Sequence, residues 1–200
     1  MAKIKLTKNE QKKQKDSLKR FQRYLPTLML KKQQLQAEIR MVDIRTAEVR
    51  VLKEQRDAGI KKWIAVFGEE GVFTTDILRI TKMLAGEGNV AGVAIPVFEG
   101  AEFAVSDYDI VEKPFWLDLA VDNMKRALLL DLELQCLEEQ QRRLRKELQT
   151  TSQRVNLFEK IKIPEAKANI KKIAVYLGDQ QTAAVVRGKI SKRGMERAGS

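Results

Sequence analysis

The sequence predicts a mainly α-helical fold, a long antiparallel two-helix coiled coil formed by the N- and C-terminal helices, with a small middle insert of a short helix plus a β-hairpin. Three observations predict it. Ala, Leu, Glu, Lys and Arg supply 94 of the 200 residues, near the half-of-sequence level that marks long helices. Residues 1–58 and 101–177 contain no glycine, whereas seven of the eleven glycines fall between Gly59 and Gly100. A helix-interior glycine costs about 1 kcal/mol relative to alanine, so two glycine-free arms around a glycine-rich stretch read as helix, insert, helix. Both arms also repeat apolar residues at alternating steps of three and four.

The first arm spans residues 1–58. Its row of Leu18, Phe21, Leu25, Leu28, Lys32, Leu35, Ile39, Val42, Thr46, Val49 and Lys53 is apolar at eight positions of eleven, a seam sustained over five heptads. From Leu18 to Leu52 a helix rises about 50 Å. Pro26 lacks an N–H and crowds the preceding turn, which predicts a bend or a local break there.

The insert, residues 59–114, opens with helical spacing over Thr75 to Leu84 (Ile77, Leu78, Ile80, Met83, Leu84), capped by Thr75 or Asp76. Asn89 to Ser106 reads as a hairpin. Its β-formers are Val90, Val93, Ile95, Val97 and Phe98, followed by Phe103 and Val105. Gly92 falls among them, Glu99-Gly100 turns the chain, and Pro96 requires an edge strand. A lone hairpin is marginal, so this one needs a helix of the arms or another protein chain beneath it.

The second arm, residues 115–200, carries Trp116, Ala120, Asn123, Ala127, Leu130, Leu134, Leu137, Gln141, Leu144, Leu148, Thr151, Val155 and Phe158. A further apolar row, Leu117 to Leu132, predicts cover on a second side. After Pro164 the period resumes as Ile163, Ala166, Ile170, Ile173 and Leu177, and the glycines beyond Leu177 predict frayed last turns. Burying a Leu or Ile is worth roughly 1.5–3 kcal/mol, so the two seams are expected to pair with each other. Placing Leu52 opposite Asp118 leaves about thirty C-terminal residues overhanging. A compact bundle of broken helices is the competing arrangement.

Composition removes much chemistry. The chain has no histidine, which excludes His-dependent triads and the usual zinc and iron sites. Its one cysteine, Cys136, cannot close an internal disulfide and reads as a small packed residue of an intracellular chain. No apolar run approaches the roughly 20 residues of a bilayer span, and the basic start lacks a following apolar core, so a soluble, unsecreted chain is expected. Gly86 to Gly92 superficially suggests a dinucleotide fingerprint, but the spacing is wrong by one residue and a strand follows; it reads as a plain loop. No phosphate-binding GxxxxGK[ST] loop occurs. Glu69, Glu70, Glu99, Glu102, Asp107, Asp109 and Glu112 lack EF-hand spacing and read as a solvated acidic face. No catalytic residue, metal or cofactor is expected.

The net charge of +11 divides unevenly: +10 over residues 1–56, −5 over 57–114, zero over 115–160 and +6 over 161–200. The basic ends can grip phosphates electrostatically, yet carry no interleaved aromatics and no base-reading module. From the residues alone a structural coiled coil, a partner-binding shaft and a nucleic-acid binder all stand.

Three strings narrow the choice. Lys3 to Lys32, with Leu6-Thr7-Lys8-Asn9-Glu10 and Arg23-Tyr24-Leu25-Pro26-Thr27-Leu28, resembles the N-terminal helix of the D subunits of V/A-type rotary ATPases. Asn89-Val90-Ala91-Gly92-Val93-Ala94-Ile95-Pro96-Val97-Phe98-Glu99 resembles that family's hairpin. Arg154-Val155-Asn156-Leu157-Phe158-Glu159 leading to Ile163-Pro164 is similar to its C-terminal helix. The resemblance implies a non-catalytic central-stalk rotor, peripheral to the membrane on its cytoplasmic side. It implies a tip of both chain ends inside a hexamer of catalytic A and regulatory B subunits, a small F-type stalk partner on the lower shaft, and a foot on the funnel-shaped subunit of the membrane ring. Lys3, Lys5, Lys8, Lys171, Lys172 and Lys189 are the candidate hexamer-contacting tip. Gly178-Asp179-Gln180-Gln181-Thr182-Ala183-Ala184 departs from the strong charge usual there.

Overall fold

The computed structural model describes residues 4–61, 77–106 and 116–198. In chain order the elements are α1 (Lys8–Lys61), β1 (Leu78–Val90), β2 (Val93–Val105), α2 (Trp116–Asn156), a π-helical turn (Leu157–Lys162) and α3 (Ile163–Ala198). They fall into two compact units, Lys32–Gln149 and Met1–Lys31 with Thr150–Ser200. The fold is mainly helical, as expected, with one antiparallel hairpin among the described residues.

Helix α1 starts where its sequence supplies a cap. The Thr7 hydroxyl accepts from the Glu10 backbone N–H at 3.3 Å, and Gln11 N–H donates to the Thr7 carbonyl at 3.0 Å. Of the expected bend or local break at Pro26, the break does not occur: the helix is continuous through it. Pro26 and Gln22 are both exposed, so water reaches the carbonyl that the missing N–H leaves free.

In the unit Lys32–Gln149, α1 packs antiparallel on α2. Leu35, Ile39, Val42, Val49, Leu137 and Leu144 are buried in one cluster with Ile95 of β2, and Leu130, Leu134 and Leu148 border it. The register differs from the expected one. Lys53 pairs with Asp131, and Leu52 borders the same cleft as Leu129, Leu130 and Glu133, well beyond Asp118. The cause is length: α1 runs to Lys61, nine residues past Leu52. A second cluster joins Ile77 to Leu117 and Val121, which covers the start of the second apolar row of α2.

The hairpin is longer than its expected span and turns elsewhere. Leu78–Leu84, read as helical, is strand; Thr75 and Asp76 lie outside the described residues. Asn89 to Ser106 therefore holds the last two residues of the first strand, the turn and the second strand. The turn is Ala91-Gly92, both at positive φ (50° and 81°), with Asn89 Oδ1 accepting from Gly92 N–H at 2.9 Å. Glu99-Gly100 is a bulge: Leu84 pairs with Gly100 and Ala85 with Phe98, leaving Glu99 over, and Gly100 sits at φ 148°. A second extra residue, Thr81, separates the Ile80–Phe103 and Lys82–Glu102 pairs. Gly86 to Val90 is strand too, not loop.

In the other unit, Thr151, Val155, Ala166 and Ile173 are buried. Leu18, Phe21, Leu25 and Leu28 of α1 are half-buried, and the Phe21 and Phe158 rings meet at 5.1 Å between centroids. Asn169 Nδ2 donates to Gln14 Oε1 at 3.5 Å, so the chain directions are antiparallel here as well. Beyond Leu177 the helix does not fray: α3 continues to Ala198, with Gly178, Gly188 and Gly194 inside it and every residue from Gly178 to Met195 exposed.

Candidate interaction site: the helix seam and its docked hairpin

Seam and hairpin are joined by polar bonds that the heptad pattern does not announce. Strand β2 lies with an edge toward α2. Residues 94 and 96 share that edge, since backbone groups alternate sides along a strand. The Pro96 carbonyl accepts from Gln140 Nε2 at 2.6 Å and from Cys136 Sγ at 3.4 Å. The Ala94 carbonyl accepts from Arg143 Nη1 at 3.1 Å. Proline suits this position because its missing N–H falls on the side away from β1, where no ladder bond is lost. Between the two carbonyls Ile95 turns into the core at 6% exposure.

The donors are themselves held. Glu139 receives Arg142 Nε at 2.6 Å and Arg143 Nε at 2.7 Å. The two guanidinium hydrogen bonds hold the Glu139 carboxyl down at about 2, far below the ordinary carboxylate value. Gln140 is buried at 8% exposure with its amide satisfied by the strand. Burial pushes the Cys136 thiol up, away from the reactive thiolate.

Across the seam, ion pairs fix the register. Arg45 Nη2 meets Glu133 Oε1 at 2.7 Å, Arg50 Nη2 meets Glu138 Oε1 at 3.1 Å, and Arg145 Nη2 meets Asp43 Oδ1 at 3.0 Å. Gln141 also donates to Asp43 Oδ1 at 2.6 Å. The Arg45 guanidinium is raised by its hydrogen bond to Glu133, and Lys53 by its hydrogen bond to Asp131. Such exposed pairs each contribute well under about 1 kcal/mol, so they select register while the leucines supply stability. Thr46, a polar seam position, is buried and returns its hydroxyl to the Val42 carbonyl at 2.7 Å.

The hairpin residues take different places. Val90 and Val93 pair with each other beside the core, and Ile95 enters it. Gly92 makes the turn, Phe98 is half-buried and Val97 is 41% exposed. Gly88 lies under Val97 and Ile95, whose side chains would stand 3.0 and 3.2 Å from an added Cβ. Of the tip lysines, Lys5, Lys8, Lys171, Lys172 and Lys189 are exposed, and Lys3 lies outside the described residues. Glu99 and Glu102 lie on β2; the other five carboxylates of the acidic face lie outside the described residues. Among the described residues no cluster of three metal-ligating side chains occurs, and no helix is long and apolar enough to cross a membrane.

Gln140, Arg143 and Asp43 were not singled out by the sequence. Their only signal is indirect: polar residues recurring beside the seam on the side where a hairpin needs support.

Paired helices carrying a docked hairpin define a coiled-coil protein. A family model describing the D subunits of ATP synthases matches residues 10–193. Over 196 residues the chain is 50% identical to the V-type ATP synthase D subunit of Borreliella burgdorferi, covering 96% of this chain and 95% of that one. It is 34% identical to the V-type ATP synthase D subunit of Chlamydia felis over 199 residues, covering 95% and 92%. The chain belongs to the family of ATP synthase D subunits, and it is a non-catalytic component of that complex.

Proposed function

We propose that the chain is the central-stalk rotor of a V/A-type rotary ATPase. It transmits torque between the catalytic hexamer and the membrane ring, coupling ATP synthesis or hydrolysis to proton or sodium transport. The observation that carries this reading is the near full-length match to V-type ATP synthase D subunits. The physics supports it. Torque needs a shaft that resists twisting, and a seam of interdigitated apolar side chains with register-fixing ion pairs resists sliding of one helix along the other.

In this reading residues 1–58 and 115–200 form the coiled coil and residues 59–114 the insert. The exposed basic residues Lys5, Lys8, Lys171, Lys172 and Lys189, with Lys3, contact the catalytic A and regulatory B subunits. Charged contacts of about 0–1 kcal/mol each can be exchanged among three equivalent hexamer positions, whereas a large apolar contact would hold the rotor in one. The small F-type stalk partner binds the lower shaft, and the foot meets the funnel-shaped subunit, leaving the chain peripheral to the membrane on its cytoplasmic side.

The test is affinity purification of the tagged chain from its native membranes. Co-purification of the A, B and F subunits with ATPase activity is the expected result. Recovery of the chain without them refutes the assignment.

A further inference from the structure

The buried row of the C-terminal helices steps by seven until one place. Leu137, Leu144 and Thr151 are buried and spaced at seven, and seven further on the half-buried Phe158 meets Phe21; Ala166 then follows after eight and Ile173 after seven. The facing row of α1, Gln14, Phe21, Leu28, Leu35, Val42 and Val49, keeps a step of seven throughout. The C-terminal strand of the seam therefore carries one residue more than its partner. An uncorrected extra residue rotates everything after it by about 100°, which would carry Ala166 and Ile173 off the seam. They are nevertheless buried, at 3% and 0% exposure.

The step of eight coincides with the π-helical turn Leu157–Lys162, where Ile163 N–H donates to the Phe158 carbonyl, five residues earlier. A π turn holds one more residue than an α turn, so it takes up the excess. Pro164 follows at once. In a regular helix its ring would crowd the Lys160 carbonyl, and here the wider turn precedes it. We propose that this turn is a one-residue phase corrector that returns α3 to the seam, and that Pro164 pins it in place without creating it. The inference does not depend on the rotor reading and concerns only the pairing of α3 with the start of α1.

Two variants of the full-length chain test it by residue-resolved amide hydrogen exchange and thermal melting. With Pro164→Ala alone the π turn persists: one turn within residues 157–170 exchanges about tenfold faster than its flanks. With deletion of Glu159 added to Pro164→Ala the buried row becomes seven throughout. The labile turn disappears, Ala166 and Ile173 stay protected, and the melting temperature rises by about 2–4 °C over Pro164→Ala. Loss of the labile turn in Pro164→Ala overturns the inference by assigning the turn to proline. So does a double variant that melts lower than Pro164→Ala or fails to fold.

Discussion

Ile95→Ala is the sharpest probe of how the hairpin is held. The side chain is 6% exposed among Leu137, Leu144, Val42 and their neighbours, and truncation removes three carbons from that cluster. Ile→Ala at a buried site costs about 2–5 kcal/mol, the spread reflecting how far the surroundings collapse into the space. Here collapse is resisted. Gln140 and Arg143 grip the carbonyls on either side of residue 95, and the α1 and α2 leucines are fixed by their own seam. A loss of about 3–4 kcal/mol follows, in the upper part of the range. Val97→Ala, two residues along the same face at 41% exposure, is the internal control and costs under about 1 kcal/mol. Urea unfolding followed by circular dichroism measures both, the midpoint moving without a change in slope. Equal losses for the two variants, or an Ile95→Ala loss below about 1 kcal/mol, refute the docking geometry.

Ala91 holds a left-handed conformation at φ 50° that costs a non-glycine residue roughly 1–2 kcal/mol, so Ala91→Asn raises stability by about 0.5–1 kcal/mol in the same unfolding assay. Leu35→Asp with Leu144→Asp places two unpaired charges at positions of 0% exposure, and the cooperative thermal transition of the helices is lost; retained melting behaviour refutes the pairing. Glu139 is held at about 2, below its unfolded value near 4.5, so its contribution is fully present above pH 4.5 and is lost as pH falls toward 2. Carboxyl NMR titration reads that midpoint directly, and Arg142→Gln with Arg143→Gln moves it back up toward 4.5.

The seam was legible because a heptad needs nothing but the chain's own period: Leu35, Ile39, Val42, Val49, Leu137 and Leu144 can be counted out before any partner is known. The first strand was not. The extra residue at Thr81 breaks the two-residue alternation, placing Ile80 and Met83 three apart on one face, and a spacing of three reads as helix. The turn was misplaced for a similar reason, since alanine announces no left-handed conformation while Gly100, which marks a bulge, does resemble a turn. The step of eight after Phe158 was present in the sequence, but only burial of Ala166 and Ile173 shows which residues the row contains.

By itself the sequence determined the helical arms, the existence of a hairpin, the absence of histidine chemistry and the family strings, all of which depend on residue identity and local period. Tertiary structure alone decided the register of α1 on α2, the edge by which β2 meets Gln140 and Arg143, and the turn that absorbs one extra residue. Those choices depend on which surfaces meet. A heptad offers equivalent registers every seven residues, and the energy separating them comes from specific pairs that form only once the helices lie side by side.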